Sequence, residues 1–255
     1  MIKYILSITH TCFVRNINIS KNTYIIIGNK LLKMDLFNKI LNIAFPRKCI
    51  SCGKNDTDLC LDCLSVCPEA KNKSEDWIFP IYDYQYPQIK EAISLLKYKN
   101  KKGFAKVFAE ILYGRIIEEI SELKQFNNFT DPILIPIPLS KKRRTERGFN
   151  QSELISLELL KLDEKISSKM NRNFQLERNV LIKIKDSKHQ VLSENRQERL
   201  KNIINSFSVI DSKKIKNENI ILIDDVVTTG ATLNEARKTL KKYGAKKVIA
   251  FTIAH

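Results

Sequence analysis

Apolar residues in the second half of the chain come in short continuous runs, separated by segments where they recur every three or four positions. The runs Ile78 to Tyr84, Ile133 to Leu139, Phe207 to Ile210, Ile220 to Ile223 and Lys247 to Ile253 read as strands. Between them, Ile89, Ala92, Ile93 and Leu96 share one helical face, as do Phe104, Val107, Phe108, Ile111 and Leu112, and again Leu233, Ala236, Leu240 and Tyr243. Gly244 supplies a stop for the last of these helices. Strands without polar alternation, interleaved with helices, predict an α/β fold whose mostly parallel sheet is covered on both faces. Pro136 and Pro138 should end the second run near Ile135, because proline cannot donate to a central ladder. Tyr82, Tyr84 and Tyr86 fall on one side of the first predicted strand, where they could stack bases or simply pack the sheet.

The amino-terminal part follows a different pattern. Residues 1–33 carry Lys3, Arg15, Lys21, Lys30 and Lys33 and no acid, with at most one short strand over Lys21 to Ile27. Met34 then opens an apolar-periodic segment with Leu36, Phe37, Ile40, Leu41 and Ile43, so we expect the native protein to start there and residues 1–33 to be an extension. Residues 34–68 form a cysteine-bearing lobe, the polar stretch up to Trp77 reads as a linker, and 79–255 hold the α/β domain.

Composition narrows the setting more than the chemistry. Hydrophobic residues at 43% and charged residues at 28% are those of a globular chain. No apolar run reaches the roughly 20 residues that span a bilayer, and the amino-terminal YILSITHTCFV lacks a small-residue cleavage site, which points to the cytoplasm. The net charge of +16 favours polyanions, but a lysine-rich background explains such an excess equally well.

Four cysteines are spaced Cys49-x2-Cys52-x7-Cys60-x2-Cys63. Two CxxC pairs can bring four thiolates onto one tetrahedral Zn2+, a closed site with a structural or interactive role. A disulfide pair fits a cytoplasmic chain less well, and a redox CxxC lacks its usual βαβ context. Cys67 lies close enough in sequence to be an alternative ligand.

The chemistry concentrates at IILIDDVVTTGAT, residues 220 to 232. A buried strand delivers Asp224 and Asp225 to the sheet edge, and the small, hydroxyl-rich Thr228, Thr229, Gly230, Ala231 and Thr232 lead into a helix N-terminus. Unpaired N–H groups and the positive end of a helix dipole suit a phosphate, while the paired acids suit sugar hydroxyls or Mg2+. An ordinary capped helix, with Thr228 or Thr229 as cap, is the bland alternative. A second stretch, SKKRRTERGFNQS from Ser140, reads as a basic loop after a strand end. Its Arg143, Arg144 and Arg147 offer forked donors to pyrophosphate, and Gly148 permits close backbone approach.

The 220–232 stretch resembles the phosphoribosyl pyrophosphate (PRPP) motif of type I phosphoribosyltransferases. That resemblance implies that Asp224 and Asp225 hold the ribose and Thr228 to Thr232 wrap its 5-phosphate. Together with PIPLSKKRRTERGFNQSE and the double CxxC preceded by Phe45-Pro46, it resembles the ComF family of competence proteins from about Met34 to the end. The resemblance implies structural Zn2+, Mg2+ with PRPP, and a part in DNA uptake with single-stranded DNA and a helicase-like competence protein as partners. It also implies a PRPP donor for phosphoribosyl transfer, without identifying an acceptor. An active phosphoribosyltransferase of nucleotide metabolism or salvage is the alternative. Residues 184–202, with Gln190, Leu192, Arg196, Arg199 and Asn202, match a segment of that family. As a flexible hood it would bring Lys188, His189 or Arg196 to the pyrophosphate; His189 as a surface histidine and Arg196 in helix ion pairs are the simpler readings.

Overall fold

The computed structural model describes residues 47–71, 75–167, 172–184 and 203–255, and the backbone of strand segments within 4–33. The apolar-periodic segment after Met34 lies outside the described residues up to Pro46, as do Lys188, His189 and Arg196. The chain divides into two compact units, Met1–Asp58 and Leu59–His255.

The first unit contains four strands, β1 (Tyr4–Leu6), β2 (Phe13–Ile19), β3 (Asn22–Ile27) and β4 (Lys30–Lys33). They pair antiparallel in chain order. One short strand was expected here, and a meander is found. The available signal was the Gly28-Asn29 dipeptide between two apolar runs, a hairpin connection of the shortest kind.

In the second unit, α1 (Leu61–Ser65) precedes β5 (Ile78–Tyr82), α2 (Pro87–Tyr98) and α3 (Gly103–Asn127). Then come β6 (Ile133–Pro136), α4 (Lys141–Arg147), α5 (Gln151–Ser167), β7 (Gln175–Leu176) and β8 (Leu181–Lys183). The chain ends with β9 (Phe207–Val209), β10 (Asn219–Val226), α6 (Ala231–Lys242) and β11 (Lys247–Ala254). The main sheet is ordered β5-β11-β10-β6-β7 with every neighbouring pair parallel. The expected α/β architecture is therefore present, apart from β8 and β9, which make a separate antiparallel pair.

Burial follows the apolar runs. Ile220 to Ile223 in β10 and Ala250, Phe251 and Ile253 in β11 are fully enclosed, and Phe79 stacks on Phe251 with centroids 5.1 Å apart. The predicted faces of α2 and α6 are buried at Ile89, Ala92, Ile93, Leu96, Leu233, Ala236 and Leu240. The tyrosine stripe dissolves, because β5 stops at Tyr82; Tyr84 lies in the following turn and Tyr86 precedes α2 at its N-cap. The polar linker is partly stitched to the sheet edge, with Ala70 N donating to Ile81 O and Asp83 N to Pro68 O, both at 2.9 Å.

The strand order decides where a ligand can sit. From β6 the chain passes through α5 to β7 on one side, whereas from β10 it passes through α6 to β11 on the other. Right-handed crossovers in opposite directions place α5 and α6 on opposite faces of the sheet. Such a reversal opens a crevice at the carboxyl ends of the strands that flank it. Here those strands are β6 and β10, whose ends carry the two motifs singled out from the sequence.

Candidate functional site

At the carboxyl end of β10, Asp224 and Asp225 still belong to the strand, which pairs with β11 as far as Val226. Successive strand residues face opposite sides, so the two acids meet different neighbours. Asp224 Oδ1 accepts from Ser152 Oγ at 3.0 Å and from Asp225 N at 2.9 Å. Both of these bonds fall on Oδ1. Asp225 is buried and pairs with Lys97, whose Nζ lies 2.8 Å from Oδ1. Burial, reinforced by the adjacent Asp225 charge, raises the Asp224 carboxyl from 3.8 to about 7, against opposing contributions from the Asp225 amide, Lys97 and Ser152.

After the strand, Gly230 adopts φ 72° at the N-cap of α6, a left-handed turn that explains a glycine there. No side chain caps this helix. Thr229 Oγ1 comes only to 3.5 Å from Ala231 N, so its first-turn N–H groups are available to an anion. Thr228 and Thr232 line the adjoining cleft.

The basic segment was expected as a loop and is helical instead. Ser140 caps α4 by accepting from Arg143 N at 3.4 Å, and Gly148 ends it with φ 76°. An added Cβ at Gly148 would meet nothing within 4 Å of protein, so the left-handed stop is what calls for glycine here, and the open space beside it lines a cleft. Helical spacing also divides the arginines. Arg143 and Arg147, four residues apart, share a face that lines the cleft. Arg144 turns to Glu153, with Nη1 3.4 Å from Oε2, and Arg178 also engages Glu153 through Nε at 2.7 Å.

The cleft encloses about 280 Å3. It is walled by Ile137 to Ser140 after β6, by Arg143 and Arg147 of α4, and by Asp224, Asp225, Thr228 and Thr232 after β10. Residues separated by eighty positions in sequence thus meet at the strand-order reversal. Tyr84 of the tyrosine stripe also lines it, as do Lys97 and Lys183, which were not singled out from the sequence. Nothing in the local pattern marks Lys97, which ends a helix that reads only as core. Ser152 was equally hidden inside the RGFNQSE block. That block turns out to be a positioning device: Asn150 Oδ1 accepts from Ser152 N at 3.1 Å, and its Nδ2 donates to Ile137 O at 2.9 Å. Asn150 therefore ties the start of α5 to the backbone leaving β6, which sets Ser152 against Asp224.

The second candidate centre is the cysteine group. Sulfurs of Cys49, Cys52, Cys60 and Cys63 all lie within 4.8 Å of one another. Four sulfurs about 3.8 Å apart surround a tetrahedral metal at thiolate bond lengths, so the donor set and its spacing fit a metal ion. No disulfide joins the five described cysteines. Cys67 is not in the cluster. Its thiol donates to Cys63 O at 3.2 Å, and burial raises its pKa, both of which favour a structural thiol. Among the described residues, no helix is long and apolar enough to cross a membrane.

Comparison with known proteins agrees with this geometry. The family model for the phosphoribosyl transferase domain matches residues 164–255, which include both acids and the threonine-rich turn. Competence protein ComFC of Streptococcus pneumoniae is 32% identical over 80% of this chain and 79% of its own length. Competence protein F of Haemophilus influenzae is 30% identical over 64% of this chain and 66% of that protein, and ComFC of Bacillus subtilis is 32% identical over 68% and 62%. With the parallel sheet, the acid-bearing strand and the four-cysteine cluster in place, the chain belongs to the ComF family of competence proteins, which carry a phosphoribosyltransferase-like domain.

Proposed function

We propose that the protein binds PRPP in the cleft between β6 and β10 and acts in the handling of DNA taken up during natural competence. The observation that carries this reading is the convergence of the Asp224–Asp225 pair, an uncapped helix N-terminus and Arg143 with Arg147 on one cleft. In this reading Asp224 and Asp225 accept from the ribose hydroxyls, Thr228 to Thr232 and the α6 N–H groups hold the 5-phosphate, and Arg143 and Arg147 face the pyrophosphate. Lys188, His189 and Arg196 would close over it. The Asp224 carboxylate beside phosphate-binding groups suits Mg2+, which favours oxygen donors and would neutralise pyrophosphate charge when bound. Cys49, Cys52, Cys60 and Cys63 would hold Zn2+, for which metal analysis of protein prepared without chelator should find about one ion per chain.

Single-stranded DNA and a helicase-like competence protein are the proposed macromolecular partners. The names of the relatives and the +16 charge support this. We expect fluorescence anisotropy to show salt-sensitive binding of a labelled single strand, retained in Asp224→Ala/Asp225→Ala. No binding at low salt would contradict a direct role with DNA. Phosphoribosyl transfer is the second reading, favoured by the paired acids beside a cationic face. Pyrophosphate release from PRPP with a panel of nucleobases separates transfer from binding alone.

A further inference from the structure

Asp225 meets Lys97 at the floor of the cleft, and this pair is nearly enclosed, with side chains 11% and 16% exposed. The ammonium stands 2.8 Å from Oδ1, within reach of the oxygens that ribose hydroxyls would need. Lys97 belongs to the last turn of α2, and its side chain can move through its own torsions without disturbing the helix. It also lines a neighbouring cleft of about 810 Å3, where Arg143, Arg147 and Lys102 are found. The two clefts share Lys97, Arg143 and Arg147. Lys97 therefore lies between an acid that it neutralises and a cationic surface suited to anions.

We propose that Lys97 is a specificity-determining residue: it occupies Asp225 in the empty cleft and transfers its charge to the pyrophosphate of an entering sugar, so that the acids become available only to a ligand carrying both groups. The inference rests on the PRPP reading of the cleft. A buried carboxylate that loses its cation is strongly disfavoured, so hydroxyl groups alone exchange poorly for the ammonium. A pyrophosphate beside Arg143 and Arg147 changes the balance by attracting Lys97 while the diol replaces it on Asp225. Ribose 5-phosphate brings the same diol and 5-phosphate but nothing that draws Lys97 away. Discrimination between the two sugars then arises from an internal competitor as well as from direct contacts.

Calorimetric titration of PRPP, ribose 5-phosphate and pyrophosphate, at one Mg2+ concentration, tests this in wild type, Lys97→Met and Lys97→Arg. Methionine retains the length of the side chain and removes its charge. We expect Lys97→Met to weaken PRPP and pyrophosphate but not ribose 5-phosphate, lowering the preference for PRPP over ribose 5-phosphate by about tenfold. Arginine should restore most of that preference. An unchanged preference in Lys97→Met, or equal weakening of all three ligands, overturns the proposal while leaving PRPP binding intact. Wild type that binds no PRPP would instead overturn the underlying reading, and this inference with it. Thermal melts establish that each variant folds, and Lys97→Gln replaces the methionine variant if that one does not.

Discussion

Asp224 holds its proton to an unusually high pH for a carboxyl group, because burial and the Asp225 charge both disfavour ionisation. As an acceptor for hydroxyl groups or a ligand for a cation, it is most effective when ionised. PRPP affinity should therefore rise as pH increases through about 7, and calorimetric titration at pH 6 and pH 8 checks it. Asp224→Asn should flatten that dependence. The effect on stability has the opposite sense. With the folded pKa above the ordinary 3.8, the folded protein binds the proton more tightly, so this group's contribution to stability declines as pH rises from the ordinary carboxylate range through about 7. A second buried acid has a different environment. Asp163 accepts from Tyr113 OH at 2.9 Å, Asn173 N at 2.9 Å and Asn173 Nδ2 at 2.7 Å, and so serves to join α3 to the segment entering β7.

At the scale of elements, α4 shows why the sequence alone read a helical segment as a loop. Seven residues rich in lysine and arginine show no apolar period, and none of them is buried, so hydrophobic patterning has nothing to report. The capping residues did contain the signal: Ser140 precedes the segment and Gly148 follows it, as befits a short helix. Because Gly148 has φ 76° in open space, Gly148→Ala should cost about 1 kcal/mol through backbone strain alone. Chemical denaturation measures this, and a cost near zero would indicate that the chain end of α4 relaxes. By contrast, β10, β11 and the inner faces of α2 and α6 were legible because burial imposes their patterns. Asp224, Asp225 and the Thr228 to Thr232 turn were legible for another reason, since strand, acids and small residues are consecutive. Lys97 and Ser152 reach the same place through tertiary structure, and no local pattern identifies them. Of the four strands of residues 4–33 only β3 was expected; in β2, Arg15 breaks the apolar face that Phe13, Ile17 and Ile19 share.

Across the whole molecule, the order β5-β11-β10-β6-β7 converts separate motifs into one site. The basic helix follows β6 and the acid pair ends β10. These strands are neighbours only because the crossovers diverge, although nearly ninety residues separate them in the chain. The resulting cleft joins a cationic wall, complementary to phosphate groups, with an acidic one that can accept from hydroxyls. Family membership supports the same placement through the phosphoribosyl transferase match at 164–255. The extension at 1–33 is a separate proposal, and intact mass of protein expressed from the native gene tests it: a mass that includes those residues would reject a start at Met34.

Isothermal titration of PRPP in the presence of Mg2+ tests the central claim most directly. Wild-type protein should bind one PRPP per chain, and Asp224→Ala/Asp225→Ala should abolish the binding while leaving the protein folded. Absence of binding to the wild type, or unchanged affinity in the folded double variant, would contradict the assignment of the β6–β10 cleft to PRPP.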